Sequence, residues 1–362
     1  MKDMRRRVGQ LALVGFAGYS VPHDLRLFAR EFDLGGVVLF ARNVEAPEQV
    51  SEVARDVEAL VDELPLWVST DQEGGRVARL KMPFTVWPPM ATLGRSGDSA
   101  LAERFARALA AELKAVGISL DFAPVLDIDT NRANPVIGDR ALSERAEDVA
   151  RLGAVIIRTL QAEGIAACGK HFPGHGDTST DSHHDLPVVE HPPDRIERVE
   201  LVPFKAAIEA DVASIMTAHI LIPAIDDQRP ATVSPRVVDG MLKRSLGYQG
   251  LVVTDDLDMQ AIRARYSTAE ATVAAIAAGC DAVLLCSPDH GAQVAAMEAI
   301  IHAVEDRRLP LKRVQDALSR HRRVKERFLA PPRALPLTGT ALRTLLGRDE
   351  HLAVAAEMAR FA

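Results

Sequence analysis

Cysteine is scarce in this chain: 362 residues carry three, Cys168, Cys280 and Cys286. The number is odd and no CxxC spacing occurs, which speaks against a disulfide framework or a thiolate zinc site and favours a reducing compartment. A buried position in a strand is the expected place for such cysteines. Aromatic residues make up only 4% of the chain. With Ala, Val, Leu and Ile abundant, that mix suits a parallel sheet wrapped by helices better than an all-β sandwich. No apolar stretch reaches the roughly 20 residues needed to span a bilayer. The 43 basic and 50 acidic residues give a net charge of −7 and are scattered, with no basic stripe and no acidic tail. Neither a nucleic-acid nor a membrane partner is expected. The start imitates a secretory signal, basic over Met1–Arg7 and apolar over Leu11–Ala17. That apolar run is short, carries Gly15, and reads as the first strand of the fold, so a cytoplasmic protein is expected.

Apolar residues make up 48% of the chain, enough for a large core. Eight short apolar runs recur: Leu11–Phe16, Gly35–Phe40, Leu66–Asp71, Leu120–Asp127, Ala167–Phe172, Ser214–His219, Leu251–Asp256 and Asp281–Cys286. Each reads as a strand buried on both faces. Between them lie segments with helical spacing, among them Pro47–Val61, Leu101–Val116, Glu147–Ala162, Asp194–Ala210 and Thr268–Ala278. Eight strand–helix alternations predict an α/β fold, a single (β/α)8 TIM-type barrel. An open doubly wound sheet is the alternative, weakened by the lack of a GxGxxG turn after the first strand. Two further helices, Gly291–Val304 and Pro310–Phe328, complete a catalytic barrel over 1–329. Residues 330–362 read as a proline-rich linker and a short helical tail, Ala341–Ala362, too small for an independent domain and expected to pack outside the barrel.

The strand interiors are apolar, yet their C-terminal ends carry Asp71, Asp127, Lys170-His171, His219 and Asp255-Asp256. In barrels the active site is built at that face. One or two such residues could merely cap helices, but Lys-His on one strand and paired Asp on another are costly to bury without a task or partner. The loop entered from strand five, Lys170–Pro187, holds four histidines and three aspartates. Within it Asp181 and His183 are two apart, so in an extended stretch they share a face, and the carboxylate can orient the imidazole for proton transfer. Asp255, at the end of strand seven, is a rigidly held candidate nucleophile. Asp256 and Asp258 are its rivals, one of them expected to bond the loop backbone or cap a helix. In Asp71–Arg79 a Gly-Gly turn separates Asp71, an acceptor for sugar hydroxyls, from Arg79, a forked donor. Gly138–Arg140 offers Arg140 to the same mouth.

These four pieces, in this order, resemble glycoside hydrolase family 3, specifically its β-N-acetylglucosaminidase branch. The run Lys170–Thr178 joined to Asp181-Ser182-His183 is the most specific part. The resemblance implies Asp255 as nucleophile, His183 as acid/base and Asp181 as its partner. It implies that Asp71, Arg79, Arg140, Lys170 and His171 hold the N-acetylglucosamine ring. It also implies a monomer that needs no cofactor or metal, with muropeptides carrying 1,6-anhydro-N-acetylmuramic acid as the substrate, released in cytoplasmic cell-wall recycling. A neutral imidazole base tolerates phosphate as acceptor, so a phosphorylase, or a broader β-glycosidase, stays open. Residues Gly347–Ala362 resemble the first helix of a second domain in longer relatives. Two readings compete from other classes: a metal-dependent barrel hydrolase using His171, His175, His183 and nearby aspartates, and a sugar-binding protein without turnover.

Overall fold

The structure, a computed structural model, describes residues 2–61, 65–179, 185–330 and 335–362. Each expected apolar run supplies a barrel strand: β1 (Ala12–Gly15), β2 (Gly36–Leu39), β3 (Trp67–Thr70), β4 (Leu120–Asp121), β5 (Ala166–Phe172), β6 (Ser214–Thr217), β7 (Leu251–Asp256) and β8 (Ala282–Leu285). All pair in parallel and close into a barrel in the order β1-β8-β7-β6-β5-β4-β3-β2. Helices cover the outside, so most strand residues are buried and continuous apolar runs are what the sheet requires.

Strand four is shorter than the run Leu120–Asp127. Pro124 has no N–H to give the ladder. Its neighbours still bond across, Phe122 N to Thr70 O at 2.9 Å and Leu126 N to Lys170 O at 2.6 Å, which carries Asp127 to the rim. The helical segment Asp194–Ala210 is two helices, Pro193–Arg198 and Val202–Glu209. In one continuous helix the Pro203 ring would meet the carbonyl of Val199.

The barrel interior is filled by Leu13, Val38, Trp67, Leu120, Phe122, Cys168, Met216 and Val253. Its N-terminal end is plugged by the helix Leu311–Leu329, whose Val324, Phe328 and Leu329 join that cluster. Trp67 stands with its ring 6.4 Å from Phe328 and donates to Nε2 of His321 at 2.8 Å. The tail forms two helices, Gly339–Leu345 and Asp349–Ala359, packed on the helix Ser99–Ala115. The break between them is Gly347, in the left-handed region at φ 57°. Any Cβ there would lie 2.6 Å from the Pro83 carbonyl. Among the described residues no helix is long and apolar enough to cross a membrane.

Candidate active site

At the C-terminal end of the barrel the strands open into a cavity of about 320 Å³. Six of the residues singled out in the sequence, Asp71, Arg79, Arg140, Lys170, His171 and Asp255, line it together. Asp181 and His183, and with them His184, lie outside the described residues.

One wall is a relay of charges. Lys170, fully buried near the end of β5, places Nζ 2.7 Å from Asp71 Oδ1 and 2.5 Å from Glu73 Oε1. Glu73 receives Arg140 as a two-pronged partner, Nε at 2.9 Å and Nη2 at 2.8 Å. Arg79 reaches the other oxygen of Asp71 at 3.1 Å, its guanidinium 5.4 Å from the Phe40 ring centroid. Burial alone would push the Glu73 carboxyl up, but the charges of Arg140 and Lys170 hold it well below the usual range. Asp71 is likewise lowered, burial being outweighed by Lys170 and Arg79. Burial disfavours the Lys170 cation, yet Asp71 and Glu73 raise its pKa above the ordinary lysine value. Beneath this wall Asp121 is raised well above its ordinary value by burial. Its Oδ1 accepts from Gln72 N at 2.9 Å, and Oδ2 has no hydrogen-bond partner among the described residues. Gln72 in turn accepts from the backbone of Arg79 and Leu80 at 2.8 and 2.9 Å, fixing the end of a small antiparallel hairpin, Gln72–Gly74 with Val77–Ala78, that leads into Arg79.

The second wall is built on Asp127. Its carboxylate accepts His171 Nδ1 at 2.6 Å and the backbone N–H groups of His171, at 3.2 Å, and of His175, at 2.6 Å. Burial opposes its charge, but His171 and His175 keep its pKa low. His175 lines the cavity as well and is pushed down to about 4 by burial. Thr178 Oγ1 stands 2.8 Å from its Nδ1.

Asp255 closes the floor, partly buried at the end of β7. Burial raises its carboxyl, but His171, His219 and the N–H of Asp256 outweigh it and leave the pKa below the usual carboxylate value. Its two rivals both brace the loop backbone, though Asp256 also lines the cavity. Asp256 Oδ1 accepts from Asp258 N at 3.0 Å and Cys286 N at 3.1 Å. Asp258 accepts from Ser287 N at 2.9 Å and Thr268 Oγ1 at 3.2 Å. Burial raises Asp256 to about 7. The three cysteines are buried thiols, Cys168 and Cys280 pushed to about 12 by burial.

The sequence alone assigns no role here to Glu73 or Asp127, and names His175 only as a ligand in the metal-based reading. Signals existed: Glu73 stands two residues from Asp71 in an extended stretch, hence on the same face, and Asp127 was visible as a strand end. For the metal-based reading, the Nδ1 atoms of His171 and His175 already face Asp127 and Thr178. Among the described residues no group of three His, Cys, Asp or Glu is disposed to hold a metal ion.

Comparison with known proteins agrees with this architecture. The glycosyl hydrolase family 3 N-terminal domain matches residues 3–324. A β-hexosaminidase from Nitrosomonas eutropha is 39% identical over 314 residues, 84% of this chain and 89% of that protein. β-Hexosaminidase A from Pseudoalteromonas piscicida is 34% identical over 94% of this chain, which spans 60% of that protein's length. A family 3 β-N-acetylglucosaminidase structure from Paenibacillus sp. str. FPU-7 superposes with a TM-score of 0.93 at 40% identity, over 99% of this chain and 68% of that one. NagZ from Neisseria gonorrhoeae, solved in complex with N-trifluoroacetyl-D-glucosamine, gives 0.78 at 29% identity, over 97% of this chain and 98% of that one. A domain match across nearly the whole barrel, joined to relatives this similar over most of their length, makes the chain a glycoside hydrolase belonging to glycosyl hydrolase family 3.

Proposed function

We propose that the enzyme is a retaining exo-β-N-acetylglucosaminidase, with Asp255 as nucleophile, His183 as acid/base and Asp181 as the partner of His183. The observation that carries this reading is the Asp255 carboxylate, held rigidly at a strand end, its pKa kept low, on the floor of a cavity otherwise walled by fixed hydrogen-bond donors and acceptors. Relatives named β-hexosaminidase or β-N-acetylglucosaminidase support the substrate class, as does a neighbour solved with a glucosamine derivative.

In this mechanism His183 protonates the departing oxygen while Asp255 attacks the anomeric carbon, giving a glycosyl-aspartate. His183, then neutral, takes a proton from water, which displaces Asp255 and frees the sugar with β configuration. An imidazole suits this pocket for an electrostatic reason. Asp71, Glu73 and Asp127 are already matched by Lys170, Arg79, Arg140 and His171, so a second carboxylate at the acid/base position would be an unmatched negative charge opposing ionisation of Asp255, whereas a neutral imidazole adds none. Asp71, Arg79, Arg140, Lys170 and His171 hold the sugar ring, the ion pairs among them keeping each donor and acceptor in place before substrate arrives.

The aglycone in this proposal is the 1,6-anhydro-N-acetylmuramic acid end of a muropeptide, cleaved by a monomeric enzyme in the cytoplasm during cell-wall recycling. Inactivation with a fluorinated N-acetylglucosaminyl donor followed by peptide mass spectrometry should label the peptide holding Asp255. Label elsewhere rejects the nucleophile. Aryl glucosaminide, glucoside and xyloside rates, compared with turnover of a muropeptide, test the substrate.

A further inference from the structure

Asn134 lies buried in the loop after β4, and both ends of its amide are engaged in different directions. Oδ1 accepts from the backbone N–H groups of Val136 at 2.8 Å and Ile137 at 2.9 Å. Nδ2 donates to the carbonyls of His175 and Gly176, both at 2.9 Å, and to Thr178 Oγ1 at 3.3 Å. The first pair holds a turn with a task of its own. Its Val136 carbonyl receives Nη1 of Arg140 at 3.0 Å, and it receives Nη2 of Arg76 at 2.5 Å. The second set holds the loop leaving β5, whose His175 N–H also reaches Asp127, the carboxylate that carries His171. At Gly176 the loop runs so close to this segment that a Cβ would sit 1.8 Å from the Ile128 carbonyl. One side chain thus bridges the wall that bears Arg140 and the stem of the loop that continues toward residue 183.

We propose that Asn134 is a positioning residue. It fixes the sugar-binding wall relative to the stem of the acid/base loop, so that a ring seated against Arg140 presents its glycosidic oxygen to the acid. Asparagine suits the place because the site asks for an acceptor on one side and a donor on the other. Aspartate would keep the acceptor and face two carbonyls with negative charge, and alanine would take the donor from the His175 and Gly176 carbonyls and the acceptor from the N–H groups of Val136 and Ile137. The inference rests on the assignment of His183 as acid/base, and the test separates the two.

The experiment compares kcat/KM on aryl N-acetylglucosaminides of graded leaving-group acidity for the parent, Asn134→Asp, Thr178→Val and His183→Ala, with amide hydrogen exchange on the same proteins. In Asn134→Asp the donors to the loop are withdrawn while the turn at Val136 and Ile137 stays held. Substrates with poor leaving groups should lose about 10–100-fold, the scale of a misplaced catalytic group. A dinitrophenyl substrate, which departs without a proton, should lose no more than about threefold. Exchange should quicken over 173–179 and stay unchanged over 135–142. Thr178→Val, which removes one partner of the same arm, should reproduce the pattern at smaller amplitude and carries the test if the aspartate variant does not fold. Equal losses on all leaving groups, or unchanged exchange over 173–179, overturn the proposal. A His183→Ala variant insensitive to the leaving group refutes the acid/base assignment instead, and the exchange pattern then decides the role of Asn134.

Discussion

Asp255 and Asp256 leave the same strand end into different surroundings. Asp255 sits near His171, His219 and Lys170, and their positive potential outweighs the cost of burying its charge. Asp256 is raised to about 7 by burial, with the charges of Asp258 and Asp255 adding to the rise. Two carboxyls driven apart in this way divide into one that stays ionised and one that is neutral in mild acid. Asp255→Asn should lower turnover by about 10⁴-fold or more, as loss of a covalent nucleophile does, with an unaltered melting temperature. Near-normal rates would refute the assignment. Asp256→Asn keeps the oxygen that accepts from Asp258 and Cys286, so activity should survive. In the parent, Asp256 becomes charged above about pH 7 and sets a second negative charge beside Asp255. An alkaline limb near that pH is therefore expected in kcat/KM on a dinitrophenyl substrate, and it should flatten in Asp256→Asn. An unchanged alkaline limb would assign it to another group. At this scale the sequence displays what interrupts an apolar strand, and so Lys170, His171 and Asp255 stand out. Glu73, Asp127 and Asn134 acquire their roles from partners 41 to 97 residues away, Glu73 with Lys170, Asp127 with His171 and Asn134 with His175, and that pairing exists only once the barrel closes.

Elements follow the same rule. Strands and helices with a clear period fall where the spacing puts them, Thr268–Ala278 to the residue. What the period hides is a local steric veto, as at Pro203, or a backbone position requiring positive φ, as at Gly347. The tail shows how such a break is used. Gly347 N donates to Glu112 Oε1 at 2.9 Å, and His351 Nδ1 lies 2.8 Å from the same atom. Thr85 meets the same buried carboxylate with both its hydroxyl and its N–H. Glu112 therefore ties the tail helices to the segment that follows Arg79. Burial raises its carboxyl, but the bonds from His351, Thr85 and Gly347 leave the folded pKa below its ordinary value. Its contribution is therefore present above the unfolded value of 4.5 and fades as pH falls through the folded pKa. Glu112→Ala should cost about 3 kcal/mol at pH 7, the scale of removing one member of a buried pair, measured by urea unfolding. Its gap to the parent should shrink below pH 4.5, where the parent loses the same charge. A gap independent of pH would mean packing, not the carboxylate, holds the tail.

Across the whole molecule, the barrel is legible because eight buried strands leave eight apolar runs, but nothing in the sequence tells which helix seals its base. Helix Leu311–Leu329 reads as an ordinary amphipathic helix, except that His321 and Lys325 stand on the stripe of Val314, Ala317, Val324 and Phe328. Both are buried in the plug, Lys325 with Nζ 2.8 Å from Gln10 Oε1. His321 accepts from Trp67 through Nε2, which requires a neutral ring, and burial keeps its pKa well below the ordinary value. Burial also pushes Lys325 down to about 7, against an opposing pull from Asp33. The unfolded chain therefore binds a proton that the folded chain releases between about pH 7 and 10.5, and stability should rise with pH through that window. Below it the folded protein carries the full cost of a buried cation, about 5 kcal/mol at 1.36 kcal/mol per unit of pKa displacement. Lys325→Met removes that cost and leaves Gln10 Oε1 without its donor, a loss of about 1–3 kcal/mol. The variant should therefore be more stable than the parent by about 2–4 kcal/mol at pH 7, with the advantage narrowing as pH approaches 10. Denaturant unfolding of both proteins at a series of pH values from 7 to 9.5 measures it. A variant that is less stable throughout, or whose advantage does not change with pH, would show that Lys325 enters the plug as part of its packing and not as a cation confined there.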